Sequence, residues 1–590
     1  MAWVLLAVGA LLLTVLVVCL GALALAGAGG FDRLLAGSVL AVAYVALVVL
    51  GLAAAGWLGR ATLLAGLAVG AVAAAVAVRV RGCPWRLPVR PAVSLATAPL
   101  LAVAGVAVAL AVVAAYYLPV WQWDALGYHL PYVNLLLQNG TLADVPADVP
   151  YVSTYPHTVE WVFTAWRALL PDDGLVELAH LPFGLLGAAA IAAIAREQDA
   201  RPDHAVAAGA AWLTLPAVFL QLPTNYTDVA SAALALAAIA FVLTARDRSR
   251  ILLAAVAIGL FLGSKPQAPP AAALLLVVLT VLGWRAGHRA AAVAAWPIAL
   301  LLGAHSYLAN VVRHGNPVWP VRVEIGPLTL PGPQPMSGLL NSGAAAPRTH
   351  GNVVSRVAES WSTIQPPLPV FDMRIGGLGL LFLIALPFAV FTAVRGRSVA
   401  LAVCAVATLV TPEPAVARYV LAFAGLTLAL AAPVLRRAGT LGQRIVLGVL
   451  TVIAASNLVI AFPGLTGEGP PLRDYPGMSP AERLRAVGAS GPPLDYLDAQ
   501  ARLQPGQVTV VDGGAELPYL AWPPDLSHRA VFVPGDATAA EVEAIVTAPE
   551  AGLLIVGDDT AAGRAARRHP ELYEPVFRCR SAPCTGYLRR

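Results

Sequence analysis

The sequence predicts a mainly α-helical, polytopic membrane bundle of about fourteen spans, followed by a small C-terminal extracytoplasmic α/β domain. Three observations predict it. Of 590 residues, 58% are hydrophobic and only 12% charged, with a mean hydropathy of +0.74, whereas soluble domains carry charge at about a quarter of their positions. Apolar stretches of roughly 18 to 28 residues recur as far as Phe462, and about 20 such residues cross a hydrocarbon core. Beyond Phe462 the composition turns abruptly to Pro, Gly and charged residues.

In chain order, spans are expected near 2–28, 35–57, 61–78, 93–119, 176–195, 204–222, 228–245, 251–264, 268–283, 290–309, 374–394, 398–412, 419–435 and 445–462. The first lacks a basic leader and is too long for a signal-peptide core, so it reads as a retained span. Orientation follows the arginines. RVRGCPWRLPVR, AREQDARPDH, ARDRSR, GWRAGHR, VRGR and RRAGTLGQR are short basic loops, which belong on the cytoplasmic side. They alternate with the spans if the N-terminus, the loops 120–175 and 310–373, and the tail after Phe462 all lie outside. The short pair 251–264 and 268–283, joined by GSKPQAPP, then turns near the outer leaflet. The expected units are the N-terminal helices 1–92, a transmembrane module 93–462 and an external domain 463–590, in which QVTVVDGG, RAVFVPG and AGLLIVGDD read as strands.

The net charge of +5 does not indicate nucleic acid, because the arginines are scattered over loops. Of the five cysteines, Cys19 and Cys404 fall in apolar runs and Cys83 in a cytoplasmic loop. Only Cys579 and Cys584, in CRSAPC, lie where an oxidising compartment permits a disulfide. Walker A, HExxH, GxSxG and CxxC motifs are absent from the sequence.

Polar residues at the outer ends of spans carry the remaining signal. In YYLPVWQWDALGYHLPYVNLLLQNG, Asp124 follows the fourth span, with Tyr128 and His129 close behind. Position alone favours a helix cap for Asp124, since Asp is a preferred N-cap. Asp228 opens the seventh span in QLPTNYTDVAS, with Thr227 competing for the same capping role. Two acids on one face beside aromatic residues also suit general-base chemistry on a sugar hydroxyl. Lys265 is the chain's only lysine among 38 basic residues. A basic group at membrane depth pairs with an anion, here a lipid phosphate, or else snorkels to the interface. Arg418 and Tyr419 open a span on the side where an arginine is not expected, a place suited to phosphate recognition or to a pair with Glu413. Arg313 and His314, in NVVRHGNPVWP with Trp319, sit just past the tenth span, where Trp319 suits an interfacial anchor.

Taken together, WDALGYH, STYPHTVEWVF, NYTDVASAALALAA, GLFLGSKPQAPP, NVVRHGNPVWP and ARYVLAF, spread over about residues 93–462, resemble the GT-C superfamily. These are polytopic glycosyltransferases that use polyprenyl-phosphate-linked sugars, and the resemblance lies in the branch of protein O-mannosyltransferases and bacterial lipid A aminoarabinose transferases. The resemblance implies Asp124 as catalytic base and Asp228 as a second catalytic acid. It implies donor-phosphate contacts at Lys265, Arg418 and Tyr419, and substrate contacts at Tyr128, His129, Tyr155, Arg313 and His314. Many members carry a second acid directly after the first, where this chain has Ala125, which weakens the case for a metal at that loop. No cofactor is required, although a divalent cation remains compatible.

The implied reaction is an inverting sugar transfer at the outer face of a bacterial plasma membrane, to a glycan, lipid or protein acceptor. Retention through paired carboxylates is disfavoured, because no second acid stands at short, fixed spacing. A lipid-linked saccharide transporter or flippase would instead place charges deep within spans or show repeats. A non-catalytic cell-envelope assembly subunit would have dispensable acids.

Overall fold

The computed structural model describes residues 2–83, 93–142, 150–335, 351–364, 376–396, 398–411, 413–467, 469–487, 495–515, 517–579 and 583–590. Most of the basic loop after the third span (84–92) and parts of both long external loops (143–149, 336–350, 365–375) lie outside the described residues. The chain is a multi-pass helical membrane protein. Among the described residues nine helices are long and apolar enough to cross a membrane, and ten if a pair bent by 68° forms one span.

The helices of the first half are α1 (Ala2–Ala24), α2 (Gly30–Ala54), α3 (Arg60–Val80), α4 (Ala98–Tyr117), α5 (Leu130–Asn139), α6 (Pro150–Thr154), α7 (Thr158–Leu169) and α8 (Leu181–Glu197). They continue with α9 (Pro202–Trp212), α10 (Pro216–Phe219), α11 (Asp228–Leu243), α12 (Arg248–Leu262), α13 (Ala268–Arg285), α14 (Arg289–Gly303) and α15 (His305–His314). After the second external loop come α16 (Val353–Ser362), α17 (Gly379–Gly396), α18 (Val399–Leu409), α19 (Leu421–Ala431) and α20 (Thr440–Ala461). The apolar stretch 204–222 is split between α9 and α10, as Pro216 requires, because proline cannot continue a helix ladder. The stretch 290–309 is divided between α14 and α15, which are the bent pair.

At the centre stands α11, DVASAALALAAIAFVL, buried at every position from Asp228 to Val242. A helix that is apolar all round belongs inside a bundle, and its alanines let α8, α12 and α19 pack closely around it. Its first turn therefore has a fixed place, with Asp228 at its N-terminal end.

The segment after α15 forms a small sheet from β1 (Val321–Ile325), β2 (Leu328–Leu330) and β3 (Gln334–Pro335), in the order β2-β1-β3. The tail forms a five-stranded sheet from β4 (Val508–Val511), β5 (Ala530–Phe532), β6 (Ala551–Gly557), β7 (Tyr573–Arg578) and β8 (Cys584–Arg589), ordered β5-β4-β6-β8-β7. The three expected strands are the parallel ones, and β7 and β8 add an antiparallel edge. β6 is buried along its whole length, as its continuous apolar run demands. Cys579 and Cys584 are joined as a disulfide, with Cα atoms 5.2 Å apart.

The tail sheet rests on the segment between α4 and α8. The Gln138 side chain donates to the carbonyl of Ala530 (2.9 Å) and accepts from its N–H (2.8 Å) and from Trp522 Nε1 (2.8 Å). Arg167 donates to the carbonyl of Pro524 (2.6 Å), and the Tyr519 hydroxyl donates to Asp173 (2.8 Å). Burial raises the Asp173 carboxyl above its usual range, against the pull of Tyr519 and Arg167.

Candidate active site

After α4 the chain runs through a single π-helical turn, Ala125–His129, before α5. π-turns are rare and recur at functional sites. Wider winding matters here because a fifth residue comes closer to facing the first than it would in an α-helix. Asp124 opens this turn, yet its carboxylate makes no cap hydrogen bond. It accepts instead from Arg418 Nη1 at 2.7 Å, while its backbone N–H donates to the Tyr226 hydroxyl at 3.1 Å. The cap expected from position is therefore not its role: a cation from 294 positions along the chain outcompetes the local backbone.

Asp228 does not cap α11 either, and neither does Thr227. The first turn of α11 is served by His180, whose Nε2 accepts from the N–H of Ala230 at 3.1 Å while Nδ1 faces the Gln221 carbonyl at 2.9 Å. A donor at one nitrogen and a carbonyl at the other fix the neutral tautomer with its proton on Nδ1. Freed from capping, Asp228 turns one oxygen to Lys265 and holds the other 3.6 Å from Arg418 Nη1. Asp124, Arg418, Asp228 and Lys265 thus form one chain of alternating charge. Their side chains are 14%, 10%, 1% and 11% exposed, so the pairs are largely shielded from water.

Lys265 owes its place to the turn between α12 and α13. The Tyr307 hydroxyl lies 3.1 and 3.0 Å from the carbonyls of Leu262 and Lys265, and the N–H of Thr158 donates to the carbonyl of Gly263 at 3.0 Å. Gly263 is required because a Cβ there would collide with the Thr158 side chain. Lys265 therefore does not snorkel; it is buried against Asp228. Two tyrosine faces hold Arg418, with its guanidinium carbon 5.2 Å from the ring centre of Tyr226 and 5.1 Å from that of Tyr419. Lys265 lies 5.4 Å from the Tyr419 centre. Glu413, a candidate partner for Arg418, pairs with Arg356 at 3.1 Å.

Burial alone would raise the Asp124 carboxyl, but the Arg418 guanidinium, helped by His129 and Lys265, holds it below the ordinary value. Around it stand Tyr128, Tyr151 and Tyr155, with ring centres 5.1 to 5.8 Å apart. His129 Nδ1 lies 2.6 Å from Glu160 Oε1, and both side chains are buried. Glu160, Tyr151, Tyr226 and Tyr307 were not singled out from sequence. Glu160 and Tyr226 do lie inside the motifs STYPHTVEWVF and NYTDVAS, whereas Tyr307 has no local signal. The structure does not bring Arg313 and His314 into contact with the tetrad: Arg313 is exposed, and His314 stacks on Trp319 with ring centres 4.4 Å apart.

A groove opens at Asp228, Lys265, Arg418 and Tyr419. It runs between α11, α13, α18 and α19, walled by Ala232, Ala235, Ala271, Leu275, Ala407 and Ala422. Cations at one end and small apolar walls beyond suit an anionic head on a hydrocarbon chain. Among the described residues no three His, Cys, Asp or Glu side chains come together as a metal-ligand set.

No family model matches the sequence, and no curated protein matches it. Among solved structures, the ArnT of Cupriavidus metallidurans in its apo state aligns with a TM-score of 0.51 at 15% identity, covering 84% of this chain and 98% of that one. The same protein bound to undecaprenyl phosphate aligns with a TM-score of 0.50 at 16% identity, covering 83% and 98%. At such identities the likeness is one of fold: the chain shares the overall helical architecture of that protein.

Proposed function

We propose that this protein is a membrane glycosyltransferase that moves a sugar from a polyprenyl-phosphate donor to an acceptor hydroxyl at the outer face of a bacterial plasma membrane. One observation carries the reading: two largely shielded cations, Lys265 and Arg418, stand at the mouth of an alanine-walled groove between membrane helices. The fold shared with a protein whose structure holds undecaprenyl phosphate supports the same donor class. Residues 93–462 form the catalytic module in this reading, and the tail covers the first external loop from outside.

The donor phosphate sits at Lys265 and Arg418, beside Tyr419, with its chain along the groove. Asp124 takes the proton from the acceptor hydroxyl, whose oxygen attacks the anomeric carbon from the face opposite the phosphate. The bond between that carbon and the phosphate oxygen breaks, and its electron pair leaves with the lipid phosphate. Arg418 couples the two events. As Asp124 gains a proton its hold on the guanidinium weakens, while the leaving phosphate gains charge and draws the same group. Stabilisation thus grows towards the transition state, which is the condition for faster chemistry. Asp228, with its two oxygens towards Lys265 and Arg418, fixes those cations more naturally than it removes a proton. Tyr128, His129 and Tyr155 border the sugar side.

Asp124→Asn keeps the size and polarity of the side chain and removes the base. Transfer from a polyprenyl-phosphate sugar in membranes should fall by at least about 10²-fold, the usual worth of a general base. Transfer at the parental rate would remove Asp124 from the mechanism.

A further inference from the structure

A second groove lies on the far side of α19 from the first, between α9, α17, α19 and α20. Every lining residue but one is apolar, including Ala208, Ala211, Phe388, Leu428 and Leu447. The exception, His204, is buried, and its Nδ1 has no hydrogen-bond partner. A buried polar atom on a residue that lines an apolar cleft is costly unless a partner satisfies it.

The groove ends among the helix termini that the basic loops assign to the cytoplasmic face. Its wall includes Leu435, Ala438 and Val446, placed in sequence beside the exposed Arg436, Arg437 and Arg444. Contacts gather these termini. Arg436 donates to the Asp199 carbonyl at 2.7 Å, Arg201 donates to Gln443 at 3.3 Å, and Arg437 lies 4.8 Å from the Phe391 ring centre. The nearby acid Asp203 is taken by Arg201 at 3.2 Å, leaving the other three arginines without a carboxylate partner among the described residues. Between Arg418 and Arg437 the chain climbs roughly 30 Å at helical rise, so these arginines are remote from the tetrad.

We infer that this groove is a binding site for one anionic glycerophospholipid of the cytoplasmic leaflet. One acyl chain lies along the alanine and leucine wall, His204 meets the glycerol ester region, and the phosphate faces Arg436, Arg437 and Arg444. The occupant is anionic because three cations face the headgroup, and an arginine near the surface favours such a headgroup about five-fold. It is a glycerophospholipid because the groove opens at the inner leaflet, with α19 separating it from the outer groove.

The test is native mass spectrometry of the full-length protein after incubation with equal amounts of phosphatidylglycerol and phosphatidylcholine. The parent should retain phosphatidylglycerol at least five-fold over phosphatidylcholine. Ala208→Trp, which fills the groove, should abolish retention while undecaprenyl phosphate binding at the outer groove persists. Should that variant fail to fold, the exposed triple change Arg436→Gln, Arg437→Gln, Arg444→Gln decides, and its preference should drop to within two-fold. Equal retention by the parent, unchanged preference in the triple variant, unchanged retention by a folded Ala208→Trp, or capture of polyprenyl phosphate in this groove would each overturn the assignment.

Discussion

Arg418 and Arg246 are the same side chain in two settings. Arg418 lies at the mouth of the groove beside α11, 10% exposed, between two tyrosine faces and two carboxylates. Arg246 lies in a basic loop, 73% exposed, paired with Glu197. Pairs in water contribute about 0 to 1 kcal/mol, whereas removing one member of a buried pair costs ~3–5 kcal/mol because the other charge is left without compensation. The mouth therefore holds its charges for a reason other than stability alone. An apolar mouth would be at least as stable, but it would lack the cations that the proposed donor phosphate needs.

The largest expected break of this contrast is Arg418→Gln. It leaves Asp124 and Asp228 with only Lys265 between them, so thermal unfolding in detergent should show a loss of ~3–5 kcal/mol, and donor-dependent transfer should collapse. Unfolding indistinguishable from the parent would mean that the tetrad is open to water.

A sharper test uses pH. The folded Asp124 carboxyl lies below its ordinary value, so the stabilisation from its pair is present above the unfolded carboxyl's ~3.9 and is lost as pH falls through the lower folded value. Acid should therefore weaken transfer by the parent only below the usual carboxylate range. Without the guanidinium, burial is the larger influence on Asp124. The acid limb of residual transfer by Arg418→Gln should then move up by about one pH unit or more. An unmoved limb would show that another group sets it.

The smallest effect belongs to Arg246→Gln, expected to cost under about 1 kcal/mol and to leave transfer unchanged. A larger loss in the same unfolding assay would erase the contrast between the two ends.

The sequence made the membrane class legible because hydropathy acts locally, and it marked Lys265 and Arg418 because each stands against the habit of the chain around it. The positional expectation of helix caps at the acids failed for a related reason. N-cap preference is a local rule, whereas the partner of Asp124 arrives from a helix 294 positions away and the cap of α11 comes from His180, 50 positions back. Arg313 and His314 shared the expected outer side and a suggestive motif, yet α15 ends with Arg313 turned to solvent. The π-turn that presents Asp124 has no sequence signature. In the tail, the apolar runs of β4 and β6 were readable. β7 and β8 were not, since Pro575 and Gly586 interrupt patterns that long-range pairing completes.

Gln138 gives the molecule something its ion pairs do not. β5 is an edge strand, and edges of exposed N–H and C=O groups recruit other chains. Here one side-chain amide engages both groups of Ala530, standing in for a neighbouring strand. The loop that carries Asp124 thereby acts as the chaperone of the tail's open border. A tail severed from that loop would carry a bare edge, and a loop severed from the tail would lose the clamp that holds α5 beside the π-turn.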